Sequence, residues 1–164
     1  MAAPLFKVGL GYDIHRLVEG RPLILGGVPF PGPVGLLGHS DADVVCHALA
    51  DALLGACNLG DIGAHFPPTD PKWKNANSLE LLKRVGQRLS QEGASLVNAD
   101  ITVVAEEPKI APRAEEMRGL LAAALACGPR LISIKATTNE GLGPEGRREA
   151  ISATAVCLLS FARA

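Results

Sequence analysis

Aromatic side chains are scarce, at 4% of 164 residues, although 48% of the chain is hydrophobic. The core must therefore come from Leu, Val, Ile and Ala. With 18 glycines allowing close backbone approach, that composition suggests an α/β chain with tightly packed helices. An excess of one charge sign is also missing. The formal net charge is −1, which excludes a nucleic-acid or membrane partner held by bulk charge. No apolar run reaches the length of a membrane span. The first residues contain neither an apolar signal-peptide core nor an Arg- and Ser-rich transit sequence. The four cysteines, Cys46, Cys57, Cys127 and Cys157, form no CxxC pair and read as reduced, buried residues of a cytoplasmic protein. No repeat or low-complexity linker divides the chain, and its length suits a single domain over residues 1–164.

Several catalytic signatures are absent as well. There is no G-x-S-x-G nucleophile elbow and no G-x-x-x-x-G-K-[ST] phosphate loop. The glycine-rich turn at Gly141 to Gly146 is not a dinucleotide fingerprint, and no cysteine has a base beside it in sequence. A metal centre is left as the best chemical candidate.

What is present concentrates between Gly38 and Gly63, where His39, Asp41, Asp43, His47, Asp51 and Asp61 all fall. The middle of this stretch reads as a helix. Ser40 is the expected N-cap, with Asp43 three residues later in a capping-box relation and Asp41 and Asp43 in the first turn. Val45, Ala48, Leu49, Ala52 and Ala56 are spaced as a buried stripe. Opposite them, 100° per residue aligns Asp43, His47 and Asp51. Such a row suits a solvated face as well as a site. Its meaning depends on what converges with it.

In chain order, Leu5 to Asp13 reads as a strand, at whose end Asp13 and His15 share one face. Gly26-Gly27, between Arg21–Leu25 and Val28–Phe30, signals a two-residue hairpin, and Pro29 confines its strand to an edge. Pro31 to Gly38 reads as a loop that delivers His39. Gly60 to Pro71 reads as an irregular, ordered loop. Further helices are expected over 78–92, 112–127 and 148–163, and strands over 95–105 and 131–136. The polar stretch Thr137 to Gly143 is a loop. The fold expected is α+β or α/β, with helices packed on one side of a mixed sheet of about four strands and an N-terminal β-hairpin.

Asp13, His15 and His47 together form an Asp/His/His ligand set. Three protein ligands leave a fourth position of a tetrahedral zinc open, the pattern of catalytic sites, although other divalent metals accept the same donors. Asp43 or Asp51, one turn from His47, is suited to hold its other nitrogen.

These residues sit in a wider pattern: Gly11-Tyr12-Asp13-Ile14-His15, Gly26-Gly27-Val28, His39-Ser40-Asp41, His47, Asp51-Ala52-Leu53-Leu54-Gly55, Leu59-Gly60-Asp61-Ile62-Gly63, Phe66-Pro67, Asp70-Pro71, Pro108-Lys109, and Lys135-Ala136-Thr137-Thr138 with Glu140. Over nearly the whole chain, in order and spacing, the pattern resembles the 2-C-methyl-D-erythritol 2,4-cyclodiphosphate synthase family of the non-mevalonate isoprenoid pathway. The length resembles one synthase domain, without the cytidylyltransferase fused to it in some bacteria.

The resemblance implies an enzyme, a phosphorus–oxygen lyase that cyclises a CDP-linked methylerythritol 2-phosphate and releases CMP. It implies Zn2+ at Asp13, His15 and His47, and Mg2+ or Mn2+ held by Glu140 with the substrate diphosphate. His39 and Thr138 are the implied catalytic hydrogen-bond donors. Ser40 is implied to bind the methylerythritol phosphate end, and Asp61, Ile62 and Gly63 to meet the methylerythritol or sugar portion, covered by Phe66, Pro67, Pro68, Thr69 and Asp70. Ala105, Glu106, Glu107, Pro108, Lys109, Ile110, Ala111 and Thr137 are the implied nucleotide pocket, and Asn139 and Arg147 complete the substrate-binding set. A homotrimer with sites between subunits is implied too. The chain departs from the family pattern at Gly38, Ala42, Glu106, Glu107, Asn139 and Pro144. Pro144 stands where an aromatic is frequent, beside Arg147 and Glu149, near a central cavity that in the family holds isoprenoid diphosphates. Two other readings use the same ligand set: a zinc-dependent phosphohydrolase, and a non-catalytic metal- or nucleotide-binding trimer.

Overall fold

Glycines at positions 9 and 11 set the main packing relationship of the fold. In the computed structural model, which describes residues 5–161, strand β1 runs from Leu5 to Glu19. Its odd-numbered residues face the helices and its even-numbered residues face away. Helix α1, Val44–Ala56, lies directly on the glycine face. A Cβ at Gly9 would stand 1.8 Å from the Ala52 carbonyl oxygen, and one at Gly11 would stand 2.0 Å from that of Ala48. Glycine in the strand and alanine in the helix allow a backbone approach that larger residues would block.

The hairpin forms as expected, from β2, Leu23–Leu25, and β3, Val28–Phe30, turning on Gly26 and Gly27, both with positive φ. Inside the expected Pro31–Gly38 loop lies a short strand, β4, Val34–Leu36, antiparallel to the end of β1. β1 also extends beyond its expected end, so Asp13 and His15 are mid-strand residues. After the short helix α2, Ile62–His65, come α3, Ser78–Gln91, and β5, Ala94–Val104. A 3-10 turn over Ala111–Arg113 leads into α4, Ala114–Ala124, followed by β6, Ile132–Thr137, and the single turn α5, Gly143–Gly146. The last element is a strand, β7, Ala150–Phe161, where a helix over 148–163 was expected.

That correction has a clear cause. Ile151, Ala155, Leu158 and Leu159 fit a 3.6-residue period, and the segment is alanine-rich. The residues facing the helices are Ile151, Ala153, Ala155, Cys157 and Leu159, all 1% exposed or less, a period of two. β7 is the central strand of a five-stranded sheet of order β4-β1-β7-β5-β6. It is hydrogen-bonded to β1 along one edge and β5 along the other, both antiparallel, while β5 and β6 run parallel. Ser152, Thr154 and Ser160 do alternate with the helix-facing row, but the apolar Val156 and Leu158 on their side break the pattern and complete an apparent helical stripe. The sheet is mixed, with the helices on one side, as expected, and has five strands rather than about four.

The helix-bearing face holds the core, including Leu25, Leu49, Leu53, Leu82, Ile101, Met117 and Leu159. The other face keeps large apolar side chains in the open: Val8 is 68% exposed, Leu10 67% and Tyr12 54%. No helix among the described residues is long and apolar enough to cross a membrane.

Candidate metal centre and adjoining cavities

The close approach of α1 to β1 brings His47 over Asp13 and His15. His47 Nδ1 lies 2.9 Å from Asp13 Oδ2, His15 Nε2 lies 3.1 Å from the same oxygen, and the two ring nitrogens are 3.3 Å apart. Zinc at bond lengths of about 2.0–2.1 Å separates tetrahedral donors by about 3.3 Å, so one ion fits all three atoms. Two imidazoles and a carboxylate, without a thiolate, suit zinc or another borderline divalent ion. Among the described residues this is the one group of three or more His, Cys, Asp or Glu side chains with donors so gathered.

Neighbouring groups fix the ring orientations. His15 Nδ1 donates to the Leu37 carbonyl at 2.7 Å, which leaves Nε2 as the lone-pair nitrogen. His47 Nε2 lies 3.1 Å from Ser40 Oγ and 3.0 Å from Ser78 Oγ. Ser78 Oγ in turn donates to Asp41. Burial works against ionisation of Asp13, but the two imidazoles beside it outweigh burial, because each favours the carboxylate when it carries a proton, and they hold the carboxyl well below the usual carboxylate range. Burial also opposes protonation of His15, whose bond to Asp13 nonetheless raises it above an ordinary histidine.

Two sequence expectations for this helix are corrected. The N-cap is Asp43, not Ser40: Asp43 Oδ1 accepts from the N–H groups of Val45 and Cys46. Asp43 is also fully buried, because its carboxylate accepts the Gly26 and Gly27 N–H groups at 2.9 and 2.7 Å and so ties the hairpin to the helix start. It is therefore no partner of His47. Nor is Asp51, which accepts the Ile62 N–H at 2.7 Å and anchors the following loop. The polar row survives as His47, Asp51 and Gly55, the line along which an otherwise buried helix stays open. Ser78 was foreseen only as the start of α3. Its hydroxyl is directed at His47 by a contact across 31 residues, for which the sequence holds no local signal.

Asp13, His15 and His47 open onto a cavity of about 280 Å3 that also contacts His39, Ser40, Ile62, Gly63, Phe66 and Pro68, all expected there, together with Trp73 and Leu81, which were not. Arg21 donates to the carbonyls of Leu36, Gly38 and Ser40 and so holds the segment carrying His39 and Ser40. His39 Nε2 reaches the Asp70 carbonyl at 3.4 Å. Asp61 and Asp70 cap short helical turns of the loop through Ala64 N–H and Lys72 N–H.

A second cavity, about 220 Å3, contacts Ala105, Pro108, Lys109, Ile110, Ala111, Ala136, Thr137 and Thr138. It shares no residue with the first, so within one chain Thr138 is not beside the metal ligands. The Thr138 hydroxyl donates to Glu140 at 2.7 Å. Asn139 is held by Glu106, which accepts its backbone N–H, and by Glu145, which accepts its side-chain amide. Glu107 pairs with Arg148 at 3.3 Å, and Arg147 with Glu149 at 2.9 Å; none of these four residues contacts either cavity.

Comparison with known proteins agrees with this geometry. The YgbB family profile matches residues 6–160. A relative from Symbiobacterium thermophilum, named 2-C-methyl-D-erythritol 2,4-cyclodiphosphate synthase, is 62% identical over 153 residues, covering 93% of this chain and 98% of its own. The solved structure of Plasmodium falciparum IspF in its CDP complex is 32% identical, with a TM-score of 0.86, and the alignment covers 99% of this chain and 100% of that one. The bifunctional IspDF from Campylobacter jejuni is 42% identical, with a TM-score of 0.93 over 98% of this chain but only 43% of its own length. With a profile match across nearly its whole length and relatives this close, the chain belongs to the YgbB family of 2-C-methyl-D-erythritol 2,4-cyclodiphosphate synthases.

Proposed function

We propose that this chain converts 4-diphosphocytidyl-2-C-methyl-D-erythritol 2-phosphate to 2-C-methyl-D-erythritol 2,4-cyclodiphosphate and CMP in the non-mevalonate route to isoprenoids. The observation that carries the reading is the convergence of Asp13, His15 and His47 at the mouth of a cavity walled by Ser40, Ile62, Gly63 and Phe66. An oxygen of the 2-phosphate attacks the β-phosphorus. The bond from that phosphorus to the bridging oxygen breaks, and CMP leaves with the electron pair and the α-phosphate. The substrate supplies its own nucleophile, so the protein must position and neutralise charge. In this reading zinc held by Asp13, His15 and His47, with magnesium or manganese held by Glu140 and the substrate diphosphate, supplies a template and Lewis-acid charge.

The chain's own residues do the rest. Ser40, Asp61, Ile62 and Gly63 bind the methylerythritol end, and Phe66 to Asp70 cover it. Ala105 to Ala111, with Thr137 and Asn139, receive the nucleotide. His39 and Thr138 donate hydrogen bonds to phosphate oxygens as charge builds on them. The lyase acts as one domain over residues 1–164, in the cytoplasm, where its four free cysteines stay reduced.

The metal cavity and the nucleotide cavity share no residue, which favours a site completed by a neighbouring subunit, and we read the assembly as a homotrimer. The exposed face of β1, with Val8, Leu10 and Tyr12, supports burial against other copies. The test is an assay of the metal-loaded protein with the CDP substrate: CMP and a cyclic diphosphate are expected. His47→Ala should empty the metal site and leave the oligomer intact. Release of inorganic phosphate would favour a phosphohydrolase instead, and binding of CDP without turnover a non-catalytic binder.

A further inference from the structure

Behind the loop that covers the metal cavity lies another cavity, about 380 Å3, bounded by Phe66, Lys72 and Trp73 on one side and α3 on the other. On α3, Arg84, Gln87, Arg88 and Gln91 recur at i, i+3, i+4 and i+7, forming a polar stripe beside the buried Leu81, Leu82, Val85 and Leu89. Among the described residues no carboxylate contacts this cavity. Lys72, Arg84 and Arg88 all face it, and among the described residues none of them forms an ion pair with Asp or Glu. Three cations on one concave surface without counter-charge make a local field that attracts anions.

The wall carries a second, independent feature. Trp73 lies with Lys72 Nζ 4.6 Å and the Arg84 guanidinium 5.5 Å from its ring centroid, and the Phe66 ring meets it edge-on at 4.9 Å. Lys72 and Arg84 both lie over this ring on long, flexible side chains; as a planar base stacks on Trp73 they swing off it, and the ammonium and the guanidinium fork take the phosphate oxygens. The volume lies in the range of small-molecule sites.

We propose that this cavity is a second ligand site, for a nucleoside mono- or diphosphate, separate from the nucleotide cavity of the reaction. Arg84 and Arg88 bind the phosphate and Trp73 stacks on the base. Phe66 and Trp73 also wall the metal cavity, so an occupant here fixes the back of the loop that the substrate meets.

Trp73 is the one tryptophan of the chain, so its emission reports occupancy. The probes are ADP, adenosine and inorganic pyrophosphate, titrated into the full-length protein, the Arg84→Gln/Arg88→Gln variant and His47→Ala. ADP is expected to change the emission saturably. The double arginine variant should weaken its apparent Kd at least about tenfold, and His47→Ala should leave it unchanged. Adenosine and pyrophosphate should each bind at least about tenfold more weakly than ADP. A response that survives in the arginine variant, or vanishes in His47→Ala, overturns the site, and pyrophosphate binding as tightly as ADP overturns the stacking. Arg84 and Arg88 are exposed, so their replacement leaves the fold intact, which thermal melting checks. The readout needs no turnover and stands independently of the synthase reaction.

Discussion

Ser78 Oγ stands 3.0 Å from His47 Nε2 while donating its own proton to Asp41. The serine oxygen must therefore accept from His47, which puts the proton on Nε2 and leaves Nδ1 to face Asp13 and His15. A chain of two hydrogen bonds thus selects the tautomer that a metal needs.

Ser78→Ala removes that constraint, with Ser40 left as the other contact of Nε2. We expect zinc affinity to fall by about ten- to hundredfold, less than in His47→Ala. Competition with a chelating dye measures it, and an unchanged affinity would show that Ser40 alone orients the ring.

Gly11→Ala would drive a methyl group into the Ala48 carbonyl and the Ala52 backbone nitrogen, at 2.0 and 2.6 Å. Neither backbone can yield without lifting α1 from β1. The expected loss is about 3 kcal/mol in stability, seen as a lower denaturant midpoint, together with weaker metal binding, because His47 rides on α1. A variant of normal stability would mean that the helix moves freely on the sheet.

The thiols should be unreactive in the native protein. Burial pushes Cys157 up to about 11 and raises Cys46, Cys57 and Cys127 as well. Only thiolate reacts, so a raised pKa lowers the reactive fraction at neutral pH and labelling speeds up as pH rises. At pH 8 a disulfide reagent should modify Cys127, the half-buried one, at most, and all four in denaturant. Rapid labelling of three or four thiols in the folded protein would contradict the packing.

Leu10→Glu places a carboxylate in the open apolar face of β1 without touching the core. If that face joins subunits, the variant elutes as a monomer in size-exclusion chromatography with light scattering, and synthase activity drops at least about tenfold with it, since a buried unpaired charge costs several kcal/mol. An unaltered oligomer would move the interface elsewhere.

Two departures from the family pattern turn out to be one. Ala42 has a positive φ of 59, and an alanine at position 38 would bring its Cβ within 2.8 Å of the Ala42 Cβ. Gly38 therefore makes room for Ala42 beside His15. Pro144 falls in the first turn of α5, where no backbone N–H is needed.

Much of this protein was legible in the residue order. Local chemistry specified the Gly-Gly hairpin, α3, β5, β6 and the shared face of Asp13 and His15, because turn residues and periodicity act over a few positions. The motif spacing indicated the metal set and the family. Tertiary structure alone decided that the last segment is a central strand, since pairing on both edges overrides a helical period. It alone buried Asp43 under the hairpin and gave Ser78 to His47, because long-range hydrogen bonds leave no trace in local sequence. And it alone turned Gly9 and Gly11 from strand-weakening residues into the contact that seats α1, because what a glycine permits depends on the backbone brought against it.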